Sequence, residues 1–247
     1  MKGKIGILDS GIGGVSVLRE IIKEIPNGEY YYLSDSKNNP YGEKSKEEIQ
    51  KIVFQNVEHL LKQECKLIVL ACNTATAVAI DALRKQYPSV TFIGTEPAIK
   101  MAHDHPVKGT TLLLATKLTL ECERIQNLIS TYPVENLVTY PCVGLADRIE
   151  NQRLSELDAY FQEHFTPYQD SQIVVLGCTH YPLIKEQFQK FFSHATIIDG
   201  SKGIAKETKR QAERMQLSFE VCRILWEDTS NDPEKLSIFR TLLEKQK

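Results

Sequence analysis

The chain has 247 residues, 42% of them apolar and 25% charged, proportions that exclude disordered, collagen-like and fibrous classes and suffice for one large α/β domain or two small ones with real cores. Lys and Arg number 30 against 32 Asp and Glu, a formal charge of -2, which predicts no nucleic-acid partner and no membrane partner. The opening MKGKIGILDSGIGG is broken by Asp9 and glycines and no run is apolar for long enough to cross a bilayer, so the expectation is a cytoplasmic protein whose six cysteines stay reduced.

Short apolar runs alternate with amphipathic stretches along the chain. KIGILD (4–9) reads as a buried strand, VSVLREIIKEI (15–25) as a helix, YYYLSD (30–35) as a strand and SKEEIQKIVFQNVEHLLKQ (45–63) as a helix. The strand KLIVLAC (66–72), the helix TATAVAIDALRKQY (74–87) and the strand TFIGTE (91–96) complete a first half. A proline- and glycine-containing segment, EPAIKMAHDHPVKG (96–109), leads to TLLLAT (111–116), a helix LTLECERIQNLIS (118–130), LVTYPC (137–142), IVVLGC (173–178), a helix YPLIKEQFQKFF (181–192) and TIIDG (196–200). Pro26, Pro88 and Pro133 punctuate helix ends. A basic helix (201–215), a strand-like FEVCRILW (219–226) and NDPEKLSIFRTLLEKQK (231–247) follow.

The pattern predicts an α/β protein built of two pseudo-symmetric α/β domains with mainly parallel sheets and a site in the cleft between them. The same interval separates Asp9 from Asp35 and Thr116 from Cys142, while Asp9 to Cys72 and Thr116 to Cys178 differ by one residue. KLIVLACNT then matches QIVVLGCTH, which gives Cys72 and Cys178 equivalent places. The tail has no counterpart in the first half and is expected to return to it, so that residues 1–95 plus 206–247 form one domain and 96–205 the other.

In open parallel sheets ligands bind beyond the carboxyl ends of the strands, where both cysteines lie. A cysteine at a helix N-terminus gains thiolate character, and thiolate can serve as a base. Asn73 and Thr74 follow Cys72, Thr179 and His180 follow Cys178, and Asp9, Ser10 and Gly11 end the first strand, with Gly13 and Gly14 expected to leave the backbone open to a ligand. Such surroundings suit a small, charged, bifunctional molecule.

The words LDSGIGGVSVL (8–18), NPYGEKS (39–45), ACNTATA (71–77), LLAT with Thr119 beyond it, PCVGLADRIE (141–150) and LGCTHYPL (176–183) occur in one order over nearly the whole chain. In this the chain resembles the glutamate racemases of the cofactor-independent aspartate/glutamate racemase superfamily. The resemblance implies a racemase that needs no cofactor and no metal. Cys72 would deprotonate D-glutamate with help from Asp9, and Cys178 would deprotonate L-glutamate with help from His180 and Glu150. Asp9, Ser10, Asn73, Thr74, Thr116, Thr119 and Thr179 would hold the substrate, and the Pro40–Tyr41–Gly42 turn would close over it. It further implies a small-molecule substrate, glutamate, with D-glutamate passed to peptidoglycan, and it allows a homodimer. DSKNNPYG, Leu118 and Cys122 depart from the family's usual residues.

Other readings stay open on the residues alone. Reduced cysteines at strand ends are ordinarily small core residues, and Cys65, Cys122, Cys142 and Cys222 are read so. Cys72, Cys178 and His180 could be zinc ligands. GIGGVS with Asp35 is an imperfect dinucleotide fingerprint, because Ser16 stands where a third glycine belongs. A racemase of aspartate or another amino acid is a further alternative.

Overall fold

The computed structural model describes residues 3–107, 109–219 and 223–244. Two parallel sheets form the frame. The first contains β1 (Lys4–Asp9), β2 (Glu29–Ser34), β3 (Cys65–Leu70), β4 (Thr91–Gly94) and, from the far end of the chain, β9 (Arg223–Asp228), in the order β4-β3-β1-β2-β9. The second contains β5 (Thr111–Ala115), β6 (Leu137–Pro141), β7 (Ile173–Leu176) and β8 (Thr196–Asp199), in the order β6-β5-β7-β8.

Setting β9 aside, the two orders are one order used twice. Leu8 faces Leu70 across β1 and β3, and Leu114 faces Leu176 across β5 and β7, at the same sequence interval. The strands are apolar on both faces because helices cover both sides, the usual condition of parallel sheets. Of Ile5, Ile7, Leu8, Leu67, Val69, Leu112, Leu114 and Val174, none has any exposed surface.

The helices are α1 (Val15–Glu24), α2 (Lys46–Lys62), α3 (Asn73–Gln86), α4 (Ile99–His103), α5 (Lys117–Glu121), α6 (Glu123–Thr131), α7 (Leu145–Glu150), α8 (Leu157–Phe165), α9 (Lys185–Phe191), α10 (Ser201–Arg214) and α11 (Pro233–Glu244). Helix α1 buries Val15, Val17, Leu18 and Ile21 against the sheet, one apolar stripe at three- and four-residue spacing. Helix α2 starts where the Ser45 side chain accepts the Glu48 N–H, satisfying one of the amides a helix start leaves unpaired. In the second half Phe161, Phe165, Phe188 and Phe192 fill the space beside β7, each fully or almost fully buried. Burying side chains of that size contributes roughly 1.5–3 kcal/mol apiece.

Two expectations are corrected. The helix expected over 118–130 is two helices, because Cys122 is extended (φ -71°, ψ 133°) and separates α5 from α6. Leu120 and Ile125 are both buried, yet on one straight helix they would point about 140° apart; the break turns both inward. The helix expected from 181 begins as a 3-10 turn, Tyr181–Ile184, before α9. Helices α7 and α8 were not among the expected elements.

The tail does return to the first sheet. Strand β9 pairs with β2 in register from Glu29–Arg223 to Ser34–Asp228, and Trp226 and Phe239 stack 5.3 Å apart beside Tyr32. Helix α10 packs along α1, and the boundary expected at 205/206 falls inside it. Cys222 lies outside the described residues. Tyr30, Tyr31 and Tyr32 are core, as the apolar strand context suggests.

Candidate active site

The carboxyl ends of the two sheets face a shared cavity of about 390 Å³. Strand β1 ends at Asp9 and delivers Ser10; β3 ends at Leu70 and delivers Cys72 at the start of α3; β5 ends at Ala115 and delivers Thr116; β7 ends at Leu176 and delivers Cys178. Ser10, Cys72, Asn73 and Thr74 form one part of the wall, and Thr116, Cys178 and His180 another. Pro40, Tyr41 and Gly42 close it from the segment after β2.

Four of the expected residues stand behind this wall. Asp9 has no exposed surface; its Oδ1 accepts the Gly11 N–H at 3.1 Å and its Oδ2 the Thr179 hydroxyl at 3.0 Å. Thr179 is thereby turned to Asp9. Thr119, also without exposed surface, hydrogen-bonds Thr74 and Thr116 at 3.1 and 2.8 Å, while Thr74 and Thr116 meet at 3.0 Å. This threonine cluster ties the start of α3 to the start of α5. Glu150, at the end of α7, accepts from His180 Nε2 and from the Ile12 N–H, each at 2.8 Å.

Each thiol has a polar neighbour. Cys72 Sγ donates to Ser10 Oγ at 3.7 Å, and Cys178 Sγ lies 3.7 Å from His180 Nδ1. The electrostatics of the two sides differ. Burial, then the Asp9 carboxylate, push the Cys72 thiol up to about 12, against the weaker pull of the Ala75 N–H. The helix start therefore does not make Cys72 a thiolate in the ligand-free protein, contrary to the simple sequence expectation. Cys178 precedes a 3-10 turn instead of an α-helix, and its distinguishing neighbour is the imidazole.

For His180, burial favours the neutral ring, but the hydrogen bonds and charges of Cys178 and Glu150 outweigh it and raise its pKa well above the usual 6.5. Glu150 responds in the opposite sense: burial would raise it, yet His180 and Lys235 hold it down to about 2. Asp9 is raised by burial, a shift partly offset by His180 and the Gly11 N–H. The imidazole is thus held between the Glu150 carboxylate and the Cys178 sulfur.

The glycines of GIGG serve this arrangement in a different way from the one expected. A Cβ on Gly13 would lie 2.6 Å from His180 Nδ1 and from Thr179 Oγ1, and one on Gly14 would lie 2.6 Å from Asp9 Cβ. A Cβ on Gly11 would collide with the Glu150 carboxylate and lie 2.6 Å from Asn39 Nδ2. They make room for Glu150, Thr179, His180 and Asp9, side chains of the protein itself. Asp35, weighed as a nucleotide-binding acid, instead accepts from Asn38 and, at 2.5 Å, from the Tyr41 hydroxyl, holding the segment over the cavity. Among the described residues no group of three or more His, Cys, Asp or Glu side chains is placed to hold a metal ion, so Cys72, Cys178 and His180 do not form the ligand set considered above.

A profile of the Asp/Glu/Hydantoin racemase family matches residues 5–208. The chain belongs to that family. It is 44% identical over 219 residues to the glutamate racemase of Clostridium botulinum, covering 86% of this chain and 85% of that protein, and 38% identical over 248 residues to that of Clostridium acetobutylicum, covering 97% of each. Its fold is similar to the Escherichia coli glutamate racemase solved with L-glutamate and the activator UDP-MurNAc-Ala, with a TM-score of 0.84, 26% identity, and coverage of 98% of this chain and 96% of that one. It is similar also to the Francisella tularensis glutamate racemase in complex with D-glutamate, with a TM-score of 0.84, 27% identity, and coverage of 98% and 94%. The enzyme class is thus that of the family, a racemase acting on a small molecule, with two parallel-sheet halves around one cleft.

Sequence reasoning missed several residues of the site. Cys142, read as packing, lines the cavity with Val143, Gly144 and Asp147, as do Asn39 and Lys117. The spacing that paired Thr116 with Cys142 already placed Cys142 at a strand end on the cleft side. Lys235, whose Nζ lies 2.6 Å from Glu150 Oε1, carried no local signal.

Proposed function

We propose that the protein interconverts L- and D-glutamate by two-base proton transfer at the α-carbon, with Cys72 working on the D face and Cys178 on the L face. The observation that carries this reading is the presence of one thiol from each sheet, at equivalent strand ends, on the wall of a single cavity. A racemase must present a base to one side of a stereocentre and an acid to the other, and a duplicated fold supplies both. Asp9 assists Cys72; His180, backed by Glu150, assists Cys178.

The α-proton of an amino acid is weakly acidic, and general acid/base catalysis contributes about 10²- to 10⁴-fold. The remainder comes from donors fixed where the α-carboxylate gains negative charge, in a cleft that sheds water. Ser10, Asn73, Thr74 and Thr116 reach the cavity and would be those donors, with Thr119 bracing Thr74 and Thr116 from behind and Thr179 bracing Asp9. Burial and the Asp9 carboxylate favour the thiol form of Cys72, and the substrate's ammonium, by bringing positive charge beside Cys72 and Asp9, would favour the base. Product D-glutamate would supply peptidoglycan synthesis in the cytoplasm, and a homodimer is the assembly in keeping with the family. The chain divides into one unit of residues 1–95 with the tail from 201 and another of residues 96–200.

The test follows both enantiomers of glutamate and of aspartate by circular dichroism in ²H₂O. Loss of optical activity from either glutamate enantiomer, with deuterium at the α-carbon and a slower reaction with aspartate, is the expected result. Preference for aspartate, or racemisation without deuterium uptake, overturns it.

A further inference from the structure

Glu150 is 3% exposed, and its two oxygens are divided between different tasks. Oε2 serves His180 and the Ile12 N–H, whereas Oε1 faces the Lys235 ammonium at 2.6 Å. Lys235 comes from the first turn of α11, more than eighty residues along the chain, and its side chain is 14% exposed. Each partner sits at the helix end that its own charge disfavours: a carboxylate at the last residue of α7 and an ammonium in the first turn of α11. Local helix preference therefore works against both placements, and the pair itself accounts for them.

A second cavity, of about 400 Å³, opens beside Glu150 and is lined by Ser36, Asn39, Asp147, Ser230, Asp232 and Lys235 among others. Water there could hydrate Oε1 and let the carboxylate turn. Lys235 occupies that oxygen instead.

We propose that Lys235 is a positioning residue for the Cys178 side of the site: by clamping Glu150 Oε1 it keeps Oε2 on His180 Nε2 and so keeps His180 Nδ1 turned to the Cys178 sulfur. The inference rests on the reading that Cys178 and His180 act on the substrate's α-proton. The ion pair also joins the tail to the second half of the molecule, so the last helix helps to aim a base carried by β7.

The charged groups around Glu150 fix the sign of the pH effect. His180 approaches from the loop after β7 and Lys235 from α11, both favouring the carboxylate; Asp9 at the end of β1, Asp147 on α7 itself and Asp232 before α11 oppose it more remotely. Without Lys235 the carboxyl pKa rises from about 2, although His180, the larger of the two influences, still holds it below its ordinary 4.5. An acid limb then enters the measurable pH range of kcat.

The experiment compares wild type with Lys235→Met, Lys235→Arg and Glu150→Gln, alongside Cys178→Ala. Enantiomers have equal free energy, so any variant lowers kcat/KM equally in both directions, and the informative readouts are kcat and its pH profile. Lys235→Met is expected to lower kcat roughly 10-fold, as loss of an outer partner of a working group does, with KM little changed and the acid limb moved upward. Lys235→Arg restores the limb and most of kcat. If the Met variant does not fold, Lys235→Gln, a neutral donor to the same oxygen, is judged by the same limb. Wild-type kcat and pH profile in the neutral variants, with Glu150→Gln impaired, overturn the inference alone, as does an Arg variant no better than Met. Full activity in Cys178→Ala overturns the reading beneath it.

Discussion

At the scale of single residues, the asymmetry between the two thiols is the main result. Cys72 is paired with a buried carboxylate and a serine, Cys178 with an imidazole that burial alone would leave neutral. Cys72→Ala and Cys178→Ala should each reduce racemisation by about 10²- to 10⁴-fold, because neither base can reach both faces; circular dichroism of purified variants measures it, and near-normal rates in either would remove the two-base assignment. Glu150 also governs acid stability. Its folded pKa is depressed to about 2 from 4.5, so its contribution is present above the unfolded value and is lost as pH falls through the folded one. Urea unfolding between pH 7 and pH 3 should show stability falling below about pH 4.5 in wild type, with a shallower fall in Glu150→Gln. Spacing alone put Cys72 and Cys178 at paired strand ends, whereas the roles expected of His180 and Asp9 came from the family resemblance. Lys235 was not legible, since a distant ion pair leaves no trace in spacing.

At the scale of elements, periodic apolar runs were readable and local irregularities were not. Helix α2 shows the readable case: its apolar period was read from Ser45 onward, and the structure has the Ser45 side chain accepting the Glu48 N–H. Ser45→Ala should cost about 1 kcal/mol of stability without altering kinetics, measured as a shifted denaturation midpoint at constant slope. An unchanged midpoint would show the cap to be dispensable. The break at Cys122 is the opposite case. No glycine or proline announces it, and it exists because Leu120 and Ile125 both find core that a straight helix could not reach together. The 3-10 turn after His180 is similar: Pro182 suits an α-helical first turn equally well, and the choice was made by the packing of Tyr181 and Ile184.

At the scale of the whole molecule, two similar halves were expected from equal spacings, and the strand order they share was added by the structure. The placement of the tail was also foreseen, while the use of its last helix to reach Glu150 was not. Truncation after Asp228 would remove both Lys235 and Phe239, which has no exposed surface and lies against Tyr32 and Trp226. The truncated protein should melt at lower temperature and bind an apolar dye, because that ring's departure uncovers part of the first sheet's core. Unaltered melting would show that α11 adds nothing to the core.

Strand β9 is what makes the two halves unlike. It occupies the outer edge of β2, and beyond it Asp228 and Thr229 hold Ser36 and Asp35, mooring the segment that carries Tyr41 over the cavity. The strand in the matching place, β6, is a sheet edge, and Cys142 to Gly144 extend from it, held by the Cys142 N–H on the Ala115 carbonyl and by the Tyr160 hydroxyl on the Val143 carbonyl. The mouth of the enzyme is thus framed differently on its two sides, and on the first side the residues that hold the covering segment come from the far end of the chain.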